Sequence, residues 1–102
     1  MNGFEILALA KFGLTEKVVE FALHLSSNEE LFLKFPLDTY KDTWKFNLRQ
    51  QRHAELILRE VPQLQQLRWK LCPKYLEDNV FWYIYFELAG KFVSFSKTNG
   101  II

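Results

Sequence analysis

The chain has 102 residues, enough for one compact domain and too few for two ordinary ones. Hydrophobic residues make up 49% and charged residues 25%, a globular balance that excludes a disordered or fibrous chain. A net charge of +1 by itself suggests neither a nucleic-acid nor a membrane protein, and the scarcity of Gly (4) and Pro (3) favours helices over an all-β chain.

The opening MNGFEILALAKFG has a short apolar run but no basic leader, and it is too short to span a bilayer. It reads as neither a signal peptide nor a membrane helix. Residues 1–14 are a lead-in, either a small packing helix or flexible chain. Thr15 suits an N-cap with Glu16 in the first turn, and Val18, Phe21, Ala22 and Leu25 then recur at helical spacing. Ser27-Asn28-Glu29-Glu30 has the form of a capping box. Leu31, Phe32 and Phe35 follow on one face before Pro36 ends the run. Residues 15–35 are therefore one or two N-terminal helices, and the sequence does not say whether they pack on the rest of the chain.

The connector PLDTYKDTWKF has mixed signals, with a candidate helix start at Asp42. Asn47 is the better cap, because Asn47-Leu48-Arg49-Gln50 repeats the capping-box pattern. Ala54, Ile57, Leu58 and Val61 mark the apolar face of a helix at about 47–60, with Arg49, Arg52, Glu55, Arg59 and Glu60 mostly opposite. Pro62 suits the first position of a helix at 62–71, whose apolar residues are Leu64, Leu67, Trp69 and Leu71, and Pro73 closes it. Asp78 is expected to cap a last helix at about 78–94 that contains FWYIYF. That helix is apolar nearly all round, which describes a central element packed on several sides. A base-stacking platform needs basic residues beside its aromatics, and none lie near this run. Residues 95–102 read as a flexible tail. The expectation is an all-α fold, a three-helix bundle (47–60, 62–71, 78–94) with the N-terminal helices attached.

Charge is unevenly spread. Residues 1–40 carry 3 basic and 6 acidic side chains, 41–74 carry 8 and 3, and 75–102 carry 2 and 3. Cys72 is the only cysteine, so no intramolecular disulfide forms, which fits a reducing compartment, nucleus or cytoplasm. His24 and His53 lie far apart and no spaced Cys/His pairs exist for zinc. The glycines stand singly, without a phosphate loop. A Cys72–His53 nucleophile pair is less fitting than Cys72 as a small half-buried hydrophobe. No catalytic residue, metal or cofactor is expected.

The run 54–92 resembles the BSD domain, a module named for basal transcription factor subunits, synapse-associated proteins and related proteins. The resemblance rests on Phe81-Trp82 followed by Tyr85-Phe86, and on Leu64-x-x-Leu67-Arg68-x-x-Leu71-x-Pro73 before them. With the upstream stretch 18–37, similar to what precedes the domain in some members, it covers roughly residues 15–93. The resemblance implies a three-helix bundle and no shared enzymatic activity. It also implies an interaction module found in transcription-, repair- and chromatin-linked proteins, in which the Phe-Trp pair is structural.

Two functions stand as expectations. The first is a protein-interaction module, monomeric, whose partner segment is acidic or amphipathic. It would dock on the exposed side of 47–60 and the turn at 72–76, through Arg49, Arg52, Arg59, Arg68, Lys70 and Tyr75. The alternative is weak, non-specific nucleic-acid binding through Lys41, Lys45, Arg49, Arg52, Arg59, Arg68, Lys70 and Lys74, interrupted by Glu55 and Glu60. Should the bundle leave Trp69 and Tyr83 outside, they would be the candidates for a homodimer contact.

Overall fold

The computed structural model describes residues 3–93, and these form six helices and no strand. Helices α1 (Gly3–Lys11) and α2 (Glu16–Ser26) meet at a tight corner. Gly13 sits there at φ 82°, and a Cβ on it would come within 2.8 Å of the Val93 side chain. Only glycine satisfies both the backbone and the space. Thr15 caps α2 as its sequence suggests, its Oγ1 accepting from the Val18 N–H at 3.2 Å.

The capping box at Ser27 does not form. Ser27 and Asn28 instead finish α2: the Ser27 N–H and the Asn28 side-chain amide both donate to the His24 carbonyl, at 3.2 and 2.7 Å. The short α3 (Glu30–Leu33) follows with no side-chain cap. Residues 15–35 are thus two helices, and Phe32 is buried while Leu31 faces out.

Asp42 starts no helix. At α4 (Leu48–Glu60) both halves of the box are made: Asn47 accepts from the Gln50 N–H at 2.8 Å, and Gln50 accepts from the Asn47 N–H at 2.9 Å. Pro62 opens α5 (Pro62–Leu71), which turns Leu64, Leu67 and Leu71 inward but leaves Trp69 exposed. Helix α6 (Asp78–Ala89) differs from expectation at both ends. Glu77 is its N-cap, without a side-chain bond, because the Asp78 carboxylate is taken by Arg68. The helix stops at Ala89 rather than continuing towards 94. The N–H groups of Phe92 and Val93 both turn back to the Ala89 carbonyl, which sets Phe92 against Phe21 with ring centroids 4.8 Å apart. Contact with α2 wins over another helical turn. Residues 94–102, including the expected tail, lie outside the described residues.

The core explains FWYIYF. Residues 81–85 are all buried, and Phe86 is half-buried. Helix α2 lies along α5 and also meets α4 and α6, while α4 lies along α5. Val18, Ala22 and Leu25 of α2 are wholly buried in the same cluster as Ile57, Leu64, Leu71 and Ile84, so the N-terminal helices belong to the core. Phe32 of α3 stacks on Phe81, centroids 4.6 Å apart and 10° from parallel. On another side the connector is pinned to α6. Tyr83 lies edge-on to Tyr40 and Trp44, and its hydroxyl meets Thr39 at 3.1 Å. The Asn79 amide donates to the Trp44 carbonyl at 2.6 Å. Tyr83 is therefore a core residue, not a surface for a second copy.

One histidine ties three elements together. His53 of α4 is completely buried. Its Nδ1 lies 2.7 Å from the Phe12 carbonyl and its Nε2 lies 2.7 Å from the Tyr85 hydroxyl. A carbonyl only accepts, so Nδ1 carries the proton and Nε2 accepts from Tyr85. Burial lowers the His53 pKa from its ordinary 6.5, against a smaller upward pull from the Phe12 bond. Burial likewise raises the Tyr85 pKa.

This packing has two measurable consequences. Trp82→Ala should lose about 3–5 kcal/mol, the usual result of emptying a large aromatic site, as read by urea unfolding. A loss below about 1 kcal/mol would put Trp82 outside the core. The second concerns pH. Folded His53 binds its proton less readily than the unfolded chain does. Its stabilising contribution is full above about pH 6.5 and is lost as pH falls through that value towards the depressed pKa. The melting temperature should drop between about pH 7.5 and 5.5, and His53→Gln should flatten that slope.

Candidate functional site

The basic segment 41–74 spans the second half of the connector, α4 and α5, which pack together, and the start of the turn that follows. Arg49, Arg52 and Arg59 are all exposed, at positions that share one side of α4. Two of them are already paired. Arg52 Nη1 meets Glu55 at 3.1 Å, and Arg59 Nε meets Glu60 at 3.1 Å. Lys70 bonds Glu29, just before α3, at 3.0 Å. Arg68 turns to the start of α6, where its Nε donates to Asp78 at 2.6 Å and its Nη1 to Gln65 at 3.2 Å. Tyr75 is exposed in the α5–α6 turn, with the Lys74 ammonium 5.3 Å from its ring centre. Of the eight basic side chains in this segment, Lys41, Lys45, Arg49 and Lys74 take no part in the ion pairs.

The expected signature residues divide between core and surface. Phe81, Trp82, Tyr85 and Leu67 are buried, and Phe86 and Arg68 are half-buried. Pro73 is exposed and lines a hollow of about 260 Å³ together with Trp69, Cys72 and the Arg68–Asp78 pair. A second hollow, about 240 Å³, is lined by the same pair together with Ala54, Glu55 and Leu58 of α4, Trp82 of α6 and Phe46. Sequence reasoning missed this arrangement. Arg68 and Asp78 are ten residues apart on different helices, and no local pattern links them. Trp69 is 67% exposed.

Cys72 and His53 do not form a nucleophile–base pair. Burial, with the nearby Asp78 charge, pushes the Cys72 thiol up to about 11, and Arg68 offsets only part of this. A thiol so raised is a poor nucleophile at neutral pH. His53 has its two ring nitrogens at Phe12 and Tyr85, so it is not placed as a base for Cys72. Among the described residues no group of His, Cys, Asp and Glu is gathered to hold a metal ion. No described helix is long and apolar enough to cross a membrane.

Residues 41–93 match the family model of the BSD domain, a span of more than half the chain that holds the second half of the connector, α4, α5 and α6. The match begins later than the resemblance read from the residues, so α2 and α3 lie outside it. No curated protein and no solved structure matches the chain.

Cys72 allows a direct check. Alkylation by iodoacetamide at pH 7.5 should be at least about tenfold slower in the folded chain than in urea-unfolded chain, the consequence of a pKa near 11 against an ordinary thiol. Equal rates would mean that the thiol is neither desolvated nor influenced by Asp78.

Proposed function

We propose that this chain, which belongs to the BSD domain family, is a non-catalytic docking module for other proteins, at work in transcription-, repair- or chromatin-linked processes. BSD domains are in general protein-interaction modules without catalytic activity. The observation that carries the reading is how the basic segment is spent. Arg52, Arg59, Arg68 and Lys70 each face a carboxylate of the same chain, while Trp69 and Tyr75 stand exposed among them. A surface that follows a phosphate backbone needs a run of unpaired cations. A surface that docks a protein needs apolar and aromatic anchors with a charged rim, and Trp, Tyr and Arg are the residues that such contacts favour. The docking face we assign is the exposed side of α4 with the α5–α6 turn, including Arg49, Arg52, Arg59, Arg68, Lys70 and Tyr75.

Titration of isotope-labelled chain with short duplex DNA and with single-stranded RNA, at low and moderate salt, tests the reading. Amide signals should stay in place with both. Salt-sensitive shifts confined to residues 41–74 would favour nucleic-acid binding instead. The face itself is tested by charge reversal. Arg52→Glu with Arg59→Glu should leave folding nearly unchanged, since exposed pairs contribute only about 0–1 kcal/mol, but should weaken capture of protein partners. Undiminished capture would move the docking face elsewhere.

A further inference from the structure

The surface holds one feature that the docking reading leaves unassigned: two hollows that share a single ion pair in their lining. Phe46, Ala54, Leu58 and Trp82, with Gln51 and Glu55, line one; Trp69, Cys72 and Pro73 line the other. Arg68 and Asp78 border both. Resting on the docking reading, we propose that an acidic amphipathic segment of a partner protein lies across this pair, with an apolar side chain in each hollow and a carboxylate that takes Arg68 from Asp78.

The chemistry of the occupant comes from what each group still offers. The two hollows, about 240 and 260 Å³, share Arg68 and Asp78, and neighbouring hollows of this kind suit side chains one helical turn apart on a continuous segment. Arg68 is half-buried against the apolar walls, and these bonds use only two of its five N–H donors. Planar, bidentate capture of a carboxylate is what such a group does best. Asp78 is the more exposed partner, 51% against 27% for Arg68, so it can swing to water while Arg68 stays in place. The other carboxylate in the hollow, Glu55, is already held by Arg52. Lys45 and Lys74, next in sequence to the lining residues Phe46 and Pro73, are exposed and take part in none of the ion pairs, which suits an acidic segment.

A displayed library of random peptides, each about 16 residues or roughly four helical turns, selected on the immobilised full chain, tests this without choosing the partner beforehand. Enriched peptides should pair Asp or Glu with Leu, Phe or Trp at spacings of three or four. They should shift the amides of Leu58, Arg68, Trp69 and Asp78. Arg68→Gln should weaken them about tenfold or more, and so should Trp69→Ala, which alters an exposed residue and leaves the fold intact. Asp78→Asn frees Arg68 and should tighten binding about two- to fivefold. The proposal is overturned if nothing is enriched, if enriched peptides lack acidic residues, or if Asp78→Asn weakens them. It is equally overturned if sedimentation shows a dimer that Trp69→Ala dissolves, since a second copy would then cover the face. Peptides that bind but shift another face would sink this groove and leave the docking reading intact. Salt-sensitive shifts with DNA would sink both.

Discussion

Helix α6 buries five consecutive side chains, residues 81–85, and no single face of a helix is wide enough to hold five in a row. Something must therefore stand on every side of it, and the rest of the chain is arranged to do so. Phe32 of α3 lies flat on Phe81, His53 of α4 reaches Tyr85, and the connector between α3 and α4 packs on Tyr83. The pieces that enclose it are not confined to the span that matches the family. Val18, Ala22, Leu25 and Phe32 all come from before residue 41, and each is almost fully buried. In this chain the N-terminal helices are a wall of the domain, because without them Phe81 and Ile84 would face water.

Apolar burial brings these elements together but does not by itself choose their register, since hydrophobic attraction has no direction. Direction comes from a few buried polar ties. His53 links the α1–α2 corner to α4 and α6 through two bonds of 2.7 Å. Asn79 holds the connector by the Trp44 carbonyl, a part-buried bond of 2.6 Å that ties α6 to the segment leading into α4. Leaving either donor or acceptor unpaired would cost about 1–3 kcal/mol, so the ties penalise wrong arrangements more than they stabilise the right one. The ion pairs lie outside this logic. They are all solvent-exposed to some degree and contribute little to folding, which leaves them available for exchange with a partner.

What was legible in the residues was what local physics decides. Thr15 and Asn47 work as caps because a cap needs only the next three residues, and Pro62 opens α5 for the same reason. The centrality of α6 was legible too, from composition alone. Each miss marks a place where a distant partner intervened. Ser27 has the right neighbours for a cap, but the end of α2 claims it. Asp78 has the right position for one, but Arg68 takes its carboxylate. The last helix had the pattern to run on, yet Phe92 packs on Phe21 instead. His53 is the clearest case. Its partners are 41 and 32 residues away, and nothing around it in sequence distinguishes a core histidine from a surface one.

The same division separates the two halves of the candidate site. That segment 41–74 is basic could be read directly, but a count of charges says nothing of which are already engaged. Four of the eight are neutralised within the chain, and one of those pairs lines two hollows at once. A lone exposed tryptophan is ordinary on a protein surface. Trp69 differs because the hollow beside it is closed by Arg68, a group whose charge is balanced only by the more exposed Asp78. In the proposed docking, apolar area there would give a partner its affinity, and the exchangeable carboxylate would give the surface its preference for which partner. A bundle held together by its aromatic centre can keep such a pair at its edge, since the fold depends on neither charge.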